Sequence, residues 1–181
     1  TIHAATVGDS RVSLFAAGGS EVLEETDDHK PSRPSEKQRI EQAGGEVKIT
    51  EYADGATDCR VVVAGTNYPG IAVARSLGDC SVKGIGVSHT PEIVRWDVPE
   101  GKEAHIILCS DGVWEFLPTA EVVDIVSQGL RAGESPKKAA KALFDRSRAE
   151  WKKAAGGHYC DDITIVMAPV GRAATAPTWN E

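Results

Sequence analysis

The sequence predicts an α+β fold built on antiparallel sheet, and three observations carry that expectation. Candidate strands come in blocks rather than in strict βαβ alternation, and two amphipathic helices follow one another late in the chain. A chain of 181 residues, 41% hydrophobic and 26% charged, suits one folded domain. Helices covering a β-sandwich is one solution with this element order. The longest apolar runs, Arg60–Ala64 and Ile106–Cys109, are far too short to cross a bilayer. With 20 Lys and Arg against 27 Asp and Glu, the formal charge is −7, which argues against a general nucleic-acid binder.

The elements follow in order. Ile2–Thr6 and Val12–Ala16 read as strands joined by the turn Val7–Arg11, and Gly18-Gly19 turns the chain into a third strand, Glu21–Glu25. Asp27–Pro31 is a polar loop. Ser35-Glu36-Lys37-Gln38 fits a capping box, and the short helix it opens stops at Gly44-Gly45, where a left-handed cap needs glycine. Glu46–Glu51 and Arg60–Ala64 are further strands. Residues 65 to 91 carry many breakers and no regular pattern, as functional segments often do. Strands resume at Glu92–Val98 and Ala104–Ser110. Thr119 is expected to cap a helix with the stripe Val122, Ile125, Val126 and Leu130. Ser135-Pro136 opens a longer helix with one face traced by Ala140, Leu143, Phe144, Ser147 and Trp151. A last strand is expected over Ile163–Ala168.

The four cysteines, Cys59, Cys80, Cys109 and Cys160, stand singly with no metal-like spacing. They read as reduced thiols of an intracellular protein, cytoplasmic or nuclear, with two disulfides in a secreted chain as the alternative. Ile2–Val7 reads as a strand with nothing before it to supply a neighbour. The chain is therefore expected to be a fragment, a processed product or a protein lacking its first part.

Chemistry is suggested by acidic residues at strand ends. Ile106–Gly112 delivers Asp111 where an apolar strand stops, Cys160–Val166 delivers Asp161 and Asp162 where another starts, and Ala4–Asp9 does the same with Asp9. Carboxylates converging at one core edge would repel each other, and a hard divalent cation such as Mg²⁺ or Mn²⁺ resolves that repulsion. Asp beside Gly at a strand end is equally ordinary turn chemistry. Arg75 stands in an apolar stretch and suits either an anion such as phosphate or an internal pair with Asp79 or Asp9. His29 is either a proton carrier or a hydrogen-bonded loop histidine. There is no phosphate-binding loop of the G-x-x-x-x-G-K-[ST] kind, no G-x-G-x-x-G after a strand and no G-x-S-x-G.

Taken together, Val7–Arg11, Asp28–Pro31 with Glu36, Arg39, Ile40 and Gly44-Gly45, Ala72–Asp79, Pro91-Glu92, Ser110–Trp114 and Asp161–Thr164 form a recognisable series. In this order and spacing the chain resembles the metal-dependent serine/threonine protein phosphatases of type 2C, from about Thr1 to Pro169. The resemblance implies a four-layer αββα sandwich of two antiparallel sheets flanked by helices, incomplete at its N-terminal side. It also implies a catalytic domain over 1–169 with a flexible tail over 170–181. The implied activity is hydrolysis of phosphoserine and phosphothreonine in proteins by a binuclear Mn²⁺ or Mg²⁺ centre.

On that resemblance Asp111 and Asp161 are metal-binding, catalytic aspartates, and Asp9 matches one that helps hold a third, weaker metal. Arg75 falls in a flap beside the active site. Glu115 and Phe116 stand where relatives often carry Asp and Val, and Asp161-Asp162 replaces the commoner Asp-Asn. The family's N-terminal arginine and its Asp-Gly-His-Gly segment have no counterpart here, so a missing N-terminal half of the domain is an expected partner, beside a phosphoprotein substrate. The alternative is a non-catalytic, phosphatase-like binding module.

Overall fold

Strands β1 (Ile2–Thr6) and β2 (Arg11–Ala16) open the chain in the computed structural model, which describes residues 1–53, 55, 57–98 and 102–171. There follow β3 (Val22–Glu25), α1 (Pro34–Gln42), β4 (Gly45–Glu51), β5 (Thr57–Val63) and β6 (Pro69–Ile71), then a 3₁₀ helix over Cys80–Ile85. The remainder is β7 (Glu92–Trp96), β8 (Ala104–Cys109), α2 (Asp111–Trp114), α3 (Thr119–Arg131), α4 (Pro136–Ala154) and β9 (Ile165–Val170). The class is α+β with antiparallel sheet, as the strand blocks predict. The chain forms two units: Thr1–Ala4, Ser10–Thr26 and Val94 onward in the first, Ala5–Asp9 and Asp27–Ile93 in the second. β1 and β7 pair as a two-stranded sheet, each strand having residues in both units.

The first unit is organised by an antiparallel sheet of order β3-β2-β8-β9. Its centre is β8, whose Ala104 to Cys109 run opposite Ala16 to Arg11 of β2 and opposite Val170 to Ile165 of β9. Side chains alternate between the two faces. Phe15, Ile107 and Cys109 turn to a core shared with Val113, Trp114, Leu117, Val122, Val123, Val126, Ala139 and Leu143 of the helical segments. Val12, Leu14 and Ala104 turn to the other face, with Ala4 and Trp96. Burial on both faces explains why the centre of β2 is closed to solvent at four successive positions. β9 is an edge strand, which is where Pro169, lacking an amide hydrogen, can sit in a ladder.

The second unit holds the sheet β4-β5-β6, its first pair in register from Gly45↔Val63 to Glu51↔Thr57. Ile40 of α1 packs there with Val47, Val61, Ala74, Val82 and Val87. After α1 the chain leaves through Gly44 at φ +83°, a left-handed conformation suited to glycine and expected from the sequence.

Several local expectations are corrected. The capping box at Ser35 does not form: Pro34 begins α1 one residue earlier with Arg33 as its extended cap, so Ser35 lies inside the first turn. Thr119 is the first residue of α3 and not its cap, and its hydroxyl is committed elsewhere, accepting from Arg11 Nη1 (2.9 Å) and donating to Glu25 Oε2 (2.5 Å). Ser135 does cap α4, accepting from Lys138 N. The stretch 65–91 contains β6 and the 3₁₀ helix. β9 starts two residues later than expected and runs to Val170, so residue 170 is strand rather than tail, and residues 172–181 of that tail lie outside the described residues. No helix among the described residues is long and apolar enough to cross a membrane.

Candidate active site

The antiparallel pairing of β8 and β9 brings the end of one strand to the start of the other, and both carry acidic residues there. Cys109 is paired with Ile165. One step further, Ser110 N donates to Thr164 O (3.2 Å), Thr164 N donates to Ser110 Oγ (3.0 Å), and Ser110 Oγ donates to Asp162 O (2.7 Å). Ser110 thus spends its hydroxyl on the neighbouring loop and does not cap α2 with it. Asp111 is the first residue of α2. At Gly112 a Cβ would lie 2.5 Å from Asp162 O, so only glycine lets the two segments approach this closely.

Indole groups hold the turn from behind. Trp114 Nε1 donates to Cys109 O and Trp151 Nε1, from α4, donates to Gly112 O, both at 2.8 Å. Trp151 also meets Phe116 and Tyr159 edge to face, with ring centroids 4.8 and 5.5 Å away.

Asp161 Oδ1 accepts from Asp162 N (2.8 Å). The Tyr159 phenol is raised above its usual range, first by the negative charge of Asp161, then by burial, by its hydrogen bond to Asp161 and by the charges of Asp111 and Asp162. Three carboxylates therefore bear on one hydroxyl. Sequence reasoning passed over Tyr159 and Trp151 as site residues, although the order Trp151, Tyr159, Asp161 along the chain carries the signal. Among the described residues no group of three or more His, Cys, Asp or Glu is assembled as a metal cage. Of the strands that lead to the acidic residues, β8 and β9 are neighbours, and β1, which leads to Asp9, pairs with β7.

Asp9 and Arg75 belong to the second unit. Asp9 Oδ2 accepts from Lys30 Nζ at 2.5 Å. Arg75 has neither of the partners that the sequence suggested. Its Nε lies 3.2 and 3.0 Å from the two carboxylate oxygens of Glu36, its Nη2 lies 2.6 Å from Oε1, and its Nη1 donates to Thr90 O (3.0 Å). Glu36 is fully buried and also takes Arg39 Nη2 at 2.7 Å. Burial alone would raise its carboxyl, but the hydrogen bonds and charges of Arg75 and Arg39 outweigh this and hold it at about 2. Glu36 is the residue that sequence reasoning undervalued, although its i,i+3 spacing to Arg39 is legible.

His29 is the hydrogen-bonded loop histidine. It is fully buried, Nδ1 accepts from Gly8 N (3.1 Å), and Nε2 faces Glu92 Oε2 at 3.2 Å. Glu92 is in turn held below the usual carboxylate range, chiefly by hydrogen bonds from Arg33 (2.7 and 3.1 Å).

Comparison with known proteins agrees with the resemblance. The chain is 38% identical over 169 residues to probable protein phosphatase 2C 64 of Oryza sativa subsp. japonica, covering 91% of this chain and 38% of that protein. It is 35% identical over 168 residues to probable protein phosphatase 2C 73 of Arabidopsis thaliana, covering 91% and 43%. The fold is similar to the crystal structure of serine-threonine phosphatase 2C from Toxoplasma gondii, with a TM-score of 0.67 and 27% identity, over 91% of this chain and 52% of that one. The chain thus spans less than half the length of the two curated relatives. The family described as protein phosphatase 2C matches residues 1–153, a stretch that includes Asp111 and stops short of Asp161. By that match and by these relatives, the chain belongs to the protein phosphatase 2C family.

Proposed function

We propose that this chain supplies the C-terminal share of a serine/threonine protein phosphatase centre that works with Mn²⁺ or Mg²⁺, the substrate being a phosphoprotein. The observation that supports the reading is the lacing of Ser110–Gly112 to Asp162–Thr164, which runs the segment that follows β8 beside the loop that precedes β9, the two segments that carry Asp111 and Asp161. Carboxylate oxygens are the donors these hard cations take, commonly one or two per ion with water completing the shell, so the pair fits such a group without forming a full cage. When bound, two such ions supply an acidified water for in-line attack on phosphorus and offset charge on the phosphoryl oxygens.

The chain's own residues do the holding and orienting. Asp111 presents its carboxylate from a turn fixed by the two indole hydrogen bonds, and Tyr159 stands beside Asp161, close enough for that charge to raise its phenol. Asp9 is assigned to a third, weaker metal. Arg75, fastened by Glu36, is assigned to the flap beside the site as a positioning residue. The remaining ligands and the phosphate-binding arginine are assigned to an N-terminal half outside this sequence. The αββα stacking and an intracellular setting, in keeping with four unbridged cysteines, belong to the same proposal.

The test is Asp111→Asn and Asp161→Asn in the full-length protein, assayed for Mn²⁺-dependent release of phosphate from a phosphoserine peptide. Each is expected to lower turnover at least about 100-fold with folding retained. Turnover like the wild type refutes the assignment. A second reading, a non-catalytic binding module of the same fold, draws on the ion pairs that already engage Asp9 and Arg75. It predicts a full-length protein that binds no Mn²⁺ by calorimetry, whereas the phosphatase reading predicts at least two sites.

A further inference from the structure

Beside the Asp161 loop, the first unit contains an open cleft of about 530 Å³ between the C-terminal half of α4 and residues 157–160. Its charged lining is mostly cationic: Arg148 and Lys152 come from α4, against one carboxylate, Asp145, and His158 lines the facing loop wall. That carboxylate is already engaged by Lys141. Most other basic residues of α4 are similarly paired, Lys138 with Glu134, Arg146 with Glu121 and Glu150, and Lys153 with Glu150.

Arg148 and Lys152 have no carboxylate partner among the described residues, and Arg148 lies only over the Phe144 ring, 5.9 Å from its centroid. Their i,i+4 spacing sets two like charges on one stripe, which disfavours the helix. Lys137 is also without a carboxylate but does not line the cleft. In a chain of net charge −7 this is a local positive spot, and concave cationic surfaces concentrate anionic ligands. The loop wall carries Tyr159 and Cys160 and runs directly into Asp161.

We infer that this cleft binds acidic residues of the substrate polypeptide that flank the phosphorylated side chain, so that the enzyme prefers phosphoserine in an Asp- or Glu-rich context. The inference rests on the phosphatase reading for the identity of the peptide as substrate. The peptide is favoured over a lone anion because two cations separated by a helical turn face a cleft large enough for several side chains.

The test uses the full-length protein and a fluorescein-labelled peptide with Asp and Glu on both sides of a serine, followed by fluorescence anisotropy. Arg148→Ala with Lys152→Ala is expected to weaken binding about tenfold, the combined effect of two exposed ion pairs, and to flatten the salt dependence. Lys137→Ala, also on α4 but outside the cleft, is expected to leave binding unchanged. With phosphoserine peptides the double variant should raise KM for the acidic sequence, leave kcat unchanged, and leave a Gly- and Ser-flanked peptide unaffected.

An unchanged Kd in the double variant overturns the inference. So does equal weakening by Lys137→Ala, equal affinity for inorganic phosphate, or capture by phosphatidylserine vesicles without peptide binding. Hydrolysis of p-nitrophenyl phosphate with Mn²⁺ reports on the phosphatase reading separately. A protein that binds the peptide but hydrolyses nothing loses that reading and keeps the cleft.

Discussion

Replacing Glu36 with glutamine keeps the shape of the side chain and removes its charge. In the wild type the carboxylate sits at 0% exposure between Arg75 and Arg39, and its carboxyl is held at about 2 against an ordinary 4.5. That difference corresponds to about 3 kcal/mol of stability at neutral pH, and breaking a buried pair from one side costs about 3–5 kcal/mol by general experience. Arg75 and Arg39 are partly open to water, which softens the loss, so about 2–4 kcal/mol is expected for Glu36→Gln.

The sign with pH is fixed. A depressed carboxyl contributes fully above about 4.5, and that contribution is lost as pH falls toward about 2. Urea unfolding of the full-length wild type and variant should therefore show a gap that is flat from about pH 7 to 5 and narrows by roughly 1 kcal/mol between about pH 4.5 and 3.5. A variant as stable as the wild type at neutral pH, or a gap that widens in acid, refutes the reasoning.

Close packing elsewhere in the molecule sets further outcomes. Gly112→Ala forces a methyl against Asp162 O, and should destabilise by about 1–3 kcal/mol and weaken Mn²⁺ affinity measured by calorimetry, because Asp111 shifts with its turn. Leu143→Ala removes a fully buried side chain of α4, and should cost about 2–5 kcal/mol in urea denaturation. The Cys109 thiol is pushed up to about 12 by burial, whereas Cys80 and Cys160 are exposed. Iodoacetamide at neutral pH followed by peptide mass mapping should label Cys80 and Cys160 in the native protein, and Cys109 only after denaturation.

The period-two and helical patterns were legible wherever burial is one-sided or uniform. β1 has the expected bounds, and β2, β8 and α4 lie within one to three residues of them, because apolar spacing there is the whole signal. Start signals were less dependable, since a side chain has several uses. Ser35 and Thr119 both look like caps, yet a proline fixes the first start and a tertiary ion-pair network claims the second hydroxyl.

The chemistry divides in the same way. Asp111 directly follows the paired end of β8, whereas Asp161 lies ahead of β9 in the loop whose Asp162 and Thr164 are laced to Ser110. The partner of Arg75 was not legible, because Glu36 is 39 residues away and only the tertiary fold joins them. Tyr159 and Trp151 were hidden for a related reason: aromatic residues on a helix and a glycine-flanked loop read as packing until their polar tips find partners.

The indole of Trp151 ties the long helix to the backbone oxygen of the glycine that follows Asp111. A tilt of that helix is thereby transmitted to the carboxylate-bearing turn through one rigid lever, with no mobile linker between. The same helix forms one side of the cationic cleft. The seating of that indole in α4 therefore fixes the backbone of the acidic turn, and a substitution at Trp151 is felt at Gly112 before it is felt anywhere in the sheet.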